Sequence, residues 1–213
     1  MRNCGHENSW LNEWSDNMTQ ALRHANKARL VEETKTDEKC VELLNSLSAM
    51  YLDYSERVKE GNCDDLFERC SSLISSSRVA IASNNELQMI ESVRLLEGFI
   101  EVILERPSQR LAAYGTLRPG QSNYKIVSNI QGEWTSGVIR GSVREVAGYP
   151  AYTWDESGEP IPVEVLISEQ LISEYARIDE FEGANYKRTL VPVLMDDAYS
   201  VCNVYETSAP LPP

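Results

Sequence analysis

Three acidic residues stand close together at the end of a predicted helix, in the segment Asp179-Glu180-Phe181-Glu182-Gly183. Asp179 and Glu182 are three residues apart and therefore share one side of the helix, whereas Glu180 points elsewhere. A carboxylate at a helix C-terminus faces the negative end of the dipole, and partial burial beside other acids raises its pKa. Such a group can accept and donate protons near neutral pH. The same pattern is also typical of an ordinary solvated helix end.

A second segment could bind an anionic or carbonyl oxygen. The apolar run 111–113 predicts the end of a strand, and Tyr114-Gly115-Thr116-Leu117-Arg118-Pro119-Gly120 follows it directly. A strand that ends at Tyr-Gly and turns before Pro-Gly leaves backbone N–H groups without ladder partners. A bound carboxylate or carbonyl oxygen would be a suitable acceptor for them. An ordinary tight turn is the alternative interpretation, because both dipeptides are common in turns.

The second half of the chain, residues 111–213, contains no histidine. This absence excludes Ser-His-Asp and Cys-His catalysis, and His-based metal sites, from that half. Cys202 has no basic neighbour in sequence, so an activated thiolate is not expected. The chain has five cysteines and no CxxC pair, which favours reduced thiols and no metal site. Acid–base chemistry in this half would therefore depend on a carboxylate.

The elements that would position these two segments form a β-rich domain, which we assign to residues 110–207, with 208–213 as a C-terminal tail. Alternating and β-branched runs predict strands over 138–146, 151–154, 162–167, 186–194 and 198–206. A helix is predicted from 169 to about 178, with Leu171, Ile172, Tyr175 and Ile178 facing inward. The expected fold is α+β, with mainly antiparallel strands that curl into a barrel.

The first half of the chain, residues 1–109, predicts a helical domain of unknown role. Apolar residues at three- and four-residue spacing indicate amphipathic helices over 9–27, 37–59, 64–80 and 86–105, the last ended by Pro107. Four such helices with short connections form a bundle. His6 and His24 are isolated, and we find no catalytic constellation here. The bundle is either a packing extension of the second domain or an interaction module, for a protein partner or a homo-oligomer.

The composition excludes several classes of function. The chain has 213 residues and a formal charge of −13, which argues against nucleic-acid binding because phosphate contacts need clustered Lys and Arg. No run approaches 18 apolar residues, so no membrane span is expected. The N-terminal sequence MRNCGHENSW lacks the apolar core of a signal peptide, so a cytoplasmic location is expected.

Taken together, YGTLRPGQSN and DEFEGANYKR resemble the γ-glutamyl cyclotransferase-like superfamily, which includes the AIG2-like proteins and γ-glutamylaminecyclotransferase. Its members typically show Y-G-[ST]-L-x-x-G, often with a downstream Asn, then a Tyr-Pro pair, then D-x-x-E-G-x-x-Y-x-R. Here the Asn is Asn123 and the pair is Tyr149-Pro150, and order and spacing agree. The resemblance covers about 110–207 and implies a small mixed β-barrel with flanking helices.

The resemblance also implies roles for particular residues. Glu182, the acid directly before Gly183, matches the catalytic Glu, and the substrate-binding loop matches Tyr114, Gly115, Thr116 and Leu117. Tyr186 and Arg188 are expected in the framework or at the rim of the site, with Tyr186 retained as a candidate substrate contact. These enzymes release 5-oxoproline from γ-glutamyl compounds, and the reaction requires no metal or cofactor. A non-catalytic ligand-binding or adaptor protein is the alternative, because superfamily members share a fold without all sharing a reaction.

Overall fold

The computed structural model describes residues 104–146 and 148–208, together with residues 18–20, 22–23, 25–26, 72, 75, 79, 98 and 100–102. The chain divides into two compact units, Met1–Arg106 and Pro107–Pro213. No helix among these residues is both long enough and apolar enough to cross a membrane.

In the first unit, the described residues 18–20, 22–23, 25–26, 72, 75, 79, 98 and 100–102 are helical, and they fall within three of the four predicted helices. Met18, Leu22 and Ile100 are buried, as expected for the apolar side of an amphipathic helix. The predicted helix 37–59 lies outside the described residues, as do His6 and His24. The four-helix bundle, and its role in partner binding or oligomerisation, therefore stays a prediction.

Six strands build the second unit, and all of the predicted strand segments are confirmed. They are β1 (Arg110–Ala113), β2 (Glu133–Val146), β3 (Tyr149–Trp154), β4 (Glu159–Ile167), β5 (Tyr186–Met195) and β6 (Ala198–Thr207). The largest difference from the sequence expectation is at β2, which begins at Glu133 rather than at 138. Residues 133–137 lack clear apolar alternation, but they pair with β4, from Glu133 opposite Ile167 to Gly137 opposite Val163. Backbone pairing extends this strand beyond its apolar pattern.

The strands form a mixed barrel, as expected from the resemblance. Their order is β3-β2-β4-β1-β6-β5, and β2 also pairs with β5 through Val138 and Leu194. This pairing closes β2, β4, β1, β6 and β5 into a ring, and β3 pairs with β2 outside it. The β1–β6 pair is parallel and the other pairs are antiparallel. Closure removes the exposed sheet edges of the ring strands.

Two apolar cores lie on the two sides of the barrel wall. Strand β1 contributes side chains to both, which explains why residues 111–113 are all apolar. Successive side chains of a strand point to opposite faces. Ala112 joins a core with residues from every strand of the sheet, including Ile139, Tyr152 and Val191. Leu111 and Ala113 join the other core, which packs against the helix that follows β4. Both faces of β1 are therefore buried, and the loop after it starts from a fixed position.

That helix, α1 (Leu171–Glu182), is longer than predicted and ends at Glu182. Leu171, Tyr175 and Ile178 are buried as expected. The expectation that Ile172 faces inward is wrong, because its side chain is 58% exposed. Successive residues of an α-helix are rotated by about 100° around its axis. Ile172 therefore lies to one side of the buried face that positions 171, 175 and 178 form. Gly183 follows with φ of 64°, a conformation that glycine adopts without strain.

Candidate active site

A cavity of about 200 Å³ lies where the loop after β1 meets the C-terminal end of α1. Two sequence segments about 60 residues apart supply much of its wall, because β1 and α1 pack on the same core, and residues of β3 and β6 complete it. The structure brings all six predicted site residues to this cavity. They are Tyr114, Gly115, Thr116, Leu117, Glu182 and Tyr186.

The loop after β1 is held in a tight bend by its own hydrogen bonds. The Asn123 N–H donates to the carbonyl of Thr116 at 3.0 Å, and the Asn123 side-chain amide donates to Thr116 Oγ1 at 3.0 Å. The Arg118 N–H donates to the carbonyl of Gly115 at 3.3 Å. Among the described residues, none accepts a hydrogen bond from the N–H groups of Gly115, Thr116 or Leu117. Backbone donors without partners at a cavity wall are suited to bind an anionic oxygen.

Gly115 permits a close approach between this loop and the start of β3. A Cβ atom added at Gly115 would lie 2.8 Å from Cγ of Pro150, closer than nonbonded carbon atoms approach. A side chain here would push Pro150 away, and Pro150 is itself part of the cavity wall. The glycine is therefore required by the packing of the loop against β3.

The hydroxyl group of Tyr114 belongs to the framework of the site. It donates to the carbonyl oxygens of Tyr205 at 2.9 Å and Pro150 at 3.3 Å, and it accepts from the N–H of Tyr152 at 3.3 Å. Burial raises the pKa of Tyr114, so the hydroxyl stays protonated. The Tyr186 hydroxyl donates to the same Pro150 carbonyl at 3.2 Å. Both tyrosines thus fix the start of β3 at the cavity.

Glu182 is the titratable group whose properties best suit proton transfer. Its side chain is partly buried, and no residue in the described part of the chain hydrogen-bonds its carboxyl group. Burial raises the pKa of Glu182 to about 7, and the negative charge of Asp179 contributes in the same direction. The carboxyl group is therefore divided between its two protonation states near neutral pH.

Asp179 and Glu182 share a side of α1, as expected, but they have different surroundings. Asp179 accepts two hydrogen bonds from Arg188, at 2.9 and 3.1 Å, and one from the Tyr205 hydroxyl at 2.6 Å. The guanidinium group of Arg188 also lies 4.0 Å from the ring centre of Tyr175. Arg188 therefore belongs to the framework, as expected, and it binds an acid other than the one at the cavity.

The cavity-wall residues that were not anticipated as site residues include Phe181, Asn185 and Tyr205. The Phe181 side chain is 42% exposed, and an aromatic residue directly before the candidate acid was the one signal available in the sequence. Tyr205 reaches the cavity because β6 pairs with β1 in parallel. No local pattern predicts that pairing, because the two strands are far apart in sequence.

The residues that the structure describes include no group of three or more His, Cys, Asp or Glu placed to hold a metal ion. Cys202 is a free thiol that is fully buried, and burial raises its pKa to about 12. This agrees with the expectation that it is not an activated thiolate. Among the described residues that line the cavity, Glu182 is the one with an ionisable carboxyl group, and none is a Lys, Arg or His.

The fold and the site define a class of protein: a small mixed β-barrel with a carboxyl group and free backbone donors in one cavity. A comparison with protein-family models matches residues 111–212 to "Gamma-glutamyl cyclotransferase, AIG2-like". Residues 111–212 are therefore similar to the γ-glutamyl cyclotransferase, AIG2-like family, as their motifs indicated.

Solved structures similar to part of the chain include an AIG2-like protein from Mus musculus, at 22% identity over 49% of this chain and 80% of that chain, with a TM-score of 0.40. An uncharacterized protein from Pyrococcus horikoshii is 24% identical over 47% of this chain and 79% of its own, with a TM-score of 0.37. YkqA from Bacillus subtilis is 24% identical over 47% of this chain and 36% of its own, with a TM-score of 0.40. A comparison with curated protein sequences found no match.

Proposed function

We propose that this domain releases 5-oxoproline from a γ-glutamyl amine or γ-glutamyl amino acid, with Glu182 as the general acid and base. The observation that carries the proposal is the meeting of two unpaired groups in one cavity. One is the Glu182 carboxyl group, whose pKa is raised to about 7. The other is the set of unpartnered N–H groups of Gly115, Thr116 and Leu117.

The reaction needs a base that can also act as an acid. Glu182 in its carboxylate form accepts a proton from the substrate's α-ammonium group, and the freed amine nitrogen attacks the γ-carbonyl carbon. A five-membered ring forms, and the carbonyl oxygen becomes an oxyanion. Protonated Glu182 then donates its proton to the departing nitrogen, the bond from carbon to that nitrogen breaks, and the carbonyl re-forms. The ring nitrogen then gives its second proton to the Glu182 carboxylate, which passes it to the released amine. The products are 5-oxoproline and the amine in its ammonium form, and Glu182 is again a carboxylate.

The backbone donors supply the electrostatic part of the mechanism. The substrate carries an α-carboxylate, and its γ-carbonyl oxygen gains negative charge during attack. Because no basic side chain lines the described cavity wall, the N–H groups of Gly115, Thr116 and Leu117 are our candidates to bind one of these oxygens. Loss of one such donor in other enzymes reduces kcat by about 10²- to 10³-fold.

The cavity also favours an intramolecular reaction. A volume of about 200 Å³ is large enough for a glutamyl group. Because the nucleophile and the carbonyl belong to one molecule, the site has mainly to hold the glutamyl chain in its cyclising conformation. Correct orientation of this kind can contribute effective molarities of about 10⁵ M or more.

The test is 5-oxoproline release from a panel of γ-glutamyl amines, γ-glutamyl amino acids and glutathione by the full chain. We expect turnover with at least one member and a loss of about 10²-fold or more in Glu182→Gln, because general acid–base catalysis contributes that much. Glu180→Gln is the matched control, because it makes the same change in the same helical turn at an exposed residue outside the cavity wall. Glu180→Gln should retain full activity.

Two outcomes would contradict the proposal. Equal turnover in wild-type protein and Glu182→Gln would remove Glu182 from the mechanism. Binding of a γ-glutamyl compound without any product would instead favour a non-catalytic ligand-binding domain. Mass analysis of the products separates cyclisation from attack by water, because hydrolysis gives glutamate in place of 5-oxoproline.

A further inference from the structure

The last turn of α1 is attached to the barrel through the side chain of Asp179. Arg188 on β5 donates to both of its carboxylate oxygens, and Tyr205 on β6 donates to Oδ1 at 2.6 Å. Arg188 is itself oriented by the Tyr175 ring and by Asn203, whose Oδ1 accepts from Arg188 Nη1 at 3.3 Å. Asp179 is therefore bound by two neighbouring strands at once.

Glu182 has no comparable attachment of its own, because no hydrogen bond to its carboxyl group is formed within the described part of the chain. It is the last residue of α1, and Gly183 follows at once. The N–H of Gly183 donates to the carbonyl of Asp179, which closes the final turn. The place of the Glu182 carboxyl group at the cavity therefore depends on the turn that Asp179 fixes.

Resting on the function proposed above, we propose that Asp179 is the positioning residue of the site. Bound by Arg188 and Tyr205, it holds the last turn of α1 against β5 and β6 and keeps the Glu182 carboxyl group at the cavity without touching the substrate. A bidentate pair with an arginine is suited to this task, because its two parallel hydrogen bonds fix direction as well as distance.

Asp179 also acts on Glu182 through its charge. Residues three apart on a helix lie about 5–6 Å apart at Cβ, and the charge of Asp179 helps to raise the pKa of Glu182. In the described part of the chain, the other titratable side chains of the cavity wall are Tyr114, Tyr149, Tyr186 and Tyr205. The charge of Glu182 raises the pKa values of Tyr114 and Tyr186 further. Arg188 is turned towards Asp179, where its charge is paired.

The experiment measures kcat, KM and the pH dependence of kcat/KM in Asp179→Asn and Glu180→Gln. Asparagine keeps the shape of the side chain but removes the charge and the ion pair with Arg188. We expect kcat to fall about 10- to 100-fold, as for a small displacement of a catalytic group, with KM within about threefold. The acidic limb of the pH profile should move to lower pH, because the repelling charge is lost. Glu180→Gln should leave all of these values unchanged.

Tyr205→Phe is the second variant, because it removes the hydrogen bond to Asp179 and keeps the charges of Asp179 and Arg188. It should reduce kcat by about 3- to 10-fold, the effect of one lost hydrogen bond, with the acidic limb in place. The inference about Asp179 would be overturned if Asp179→Asn had the wild-type kcat and an acidic limb at the wild-type pH. Absence of activity in the wild-type protein would instead overturn the proposed function. If the wild-type protein is inactive, or if Asp179→Asn turns over too slowly to give a pH profile, the Glu182 pKa is measured directly by NMR titration of its side-chain carboxyl carbon. Asp179→Asn must then lower the Glu182 pKa relative to Glu180→Gln, and equal values refute the inference.

Discussion

Replacement of Glu182 by Gln should make the protein more stable above neutral pH while it removes activity. The folded state raises the pKa of this carboxyl group from 4.5 to about 7, so between those values the folded protein binds the proton more tightly than the unfolded chain does. Stability therefore falls as pH rises through this window, and the ionised carboxylate destabilises the fold above it. Glutamine has the same shape and stays neutral at every pH.

The size of the expected gain in the free energy of unfolding follows from the change in the pKa of Glu182. A rise from 4.5 to about 7 corresponds to about 3 kcal/mol, at about 1.4 kcal/mol for each pH unit. Because the side chain is only partly buried, contact with water reduces the expected gain to about 1–2 kcal/mol. The gain should be fully present near pH 8.5 and absent near pH 4, where both proteins carry a neutral side chain at this position.

The assay is urea unfolding of wild-type protein, Glu182→Gln and Glu180→Gln at pH 4, 6 and 8.5. The free energy of unfolding should rise in Glu182→Gln relative to wild type only at the higher pH values. The exposed Glu180 serves as the control for loss of one negative charge from an acidic protein, and its replacement should have little effect. An equal difference between wild type and Glu182→Gln at all three pH values would refute the reasoning, because it would mean that the carboxyl group is fully solvated.

Further predictions concern the pH profile, the loop and the framework. In wild-type protein kcat/KM should increase through about pH 7, because the base form of Glu182 predominates only above its pKa; a profile flat from pH 5 to 9 would contradict this. Gly115→Ala should destabilise the fold by about 1–3 kcal/mol, measured by urea unfolding, because its Cβ would overlap Pro150; unchanged stability would show that Pro150 moves freely. Tyr114→Phe should cost about 1–3 kcal/mol in the same assay, because the part-buried backbone groups of Tyr152 and Tyr205 lose a hydrogen-bond partner, whereas the Pro150 carbonyl keeps the Tyr186 hydroxyl. Cys202 should react with a small alkylating reagent only after urea unfolding, because it is fully buried and its pKa is raised to about 12; fast labelling of this residue in the folded protein would count against that.

Much of the local structure could be predicted because each pattern is a local one. Strands β4, β5 and β6 are marked by runs of β-branched residues, and α1 by the spacing of Leu171, Tyr175 and Ile178. The early start of β2 at Glu133 could not be predicted, because pairing with β4 and not the side-chain pattern sets it. The exposure of Ile172 also depends on where the barrel wall lies.

Residue types and their order establish which groups are available for chemistry: an acid before a glycine, a loop with unpaired donors, and no histidine in residues 111–213. How these groups come together depends on contacts between segments that are far apart in the chain. The pairing of Val138 with Leu194 closes the barrel, and the parallel pairing of β1 with β6 brings Tyr205 beside Asp179. The raised pKa of Glu182 arises in the same way, because burial depends on contacts between segments that are distant in sequence.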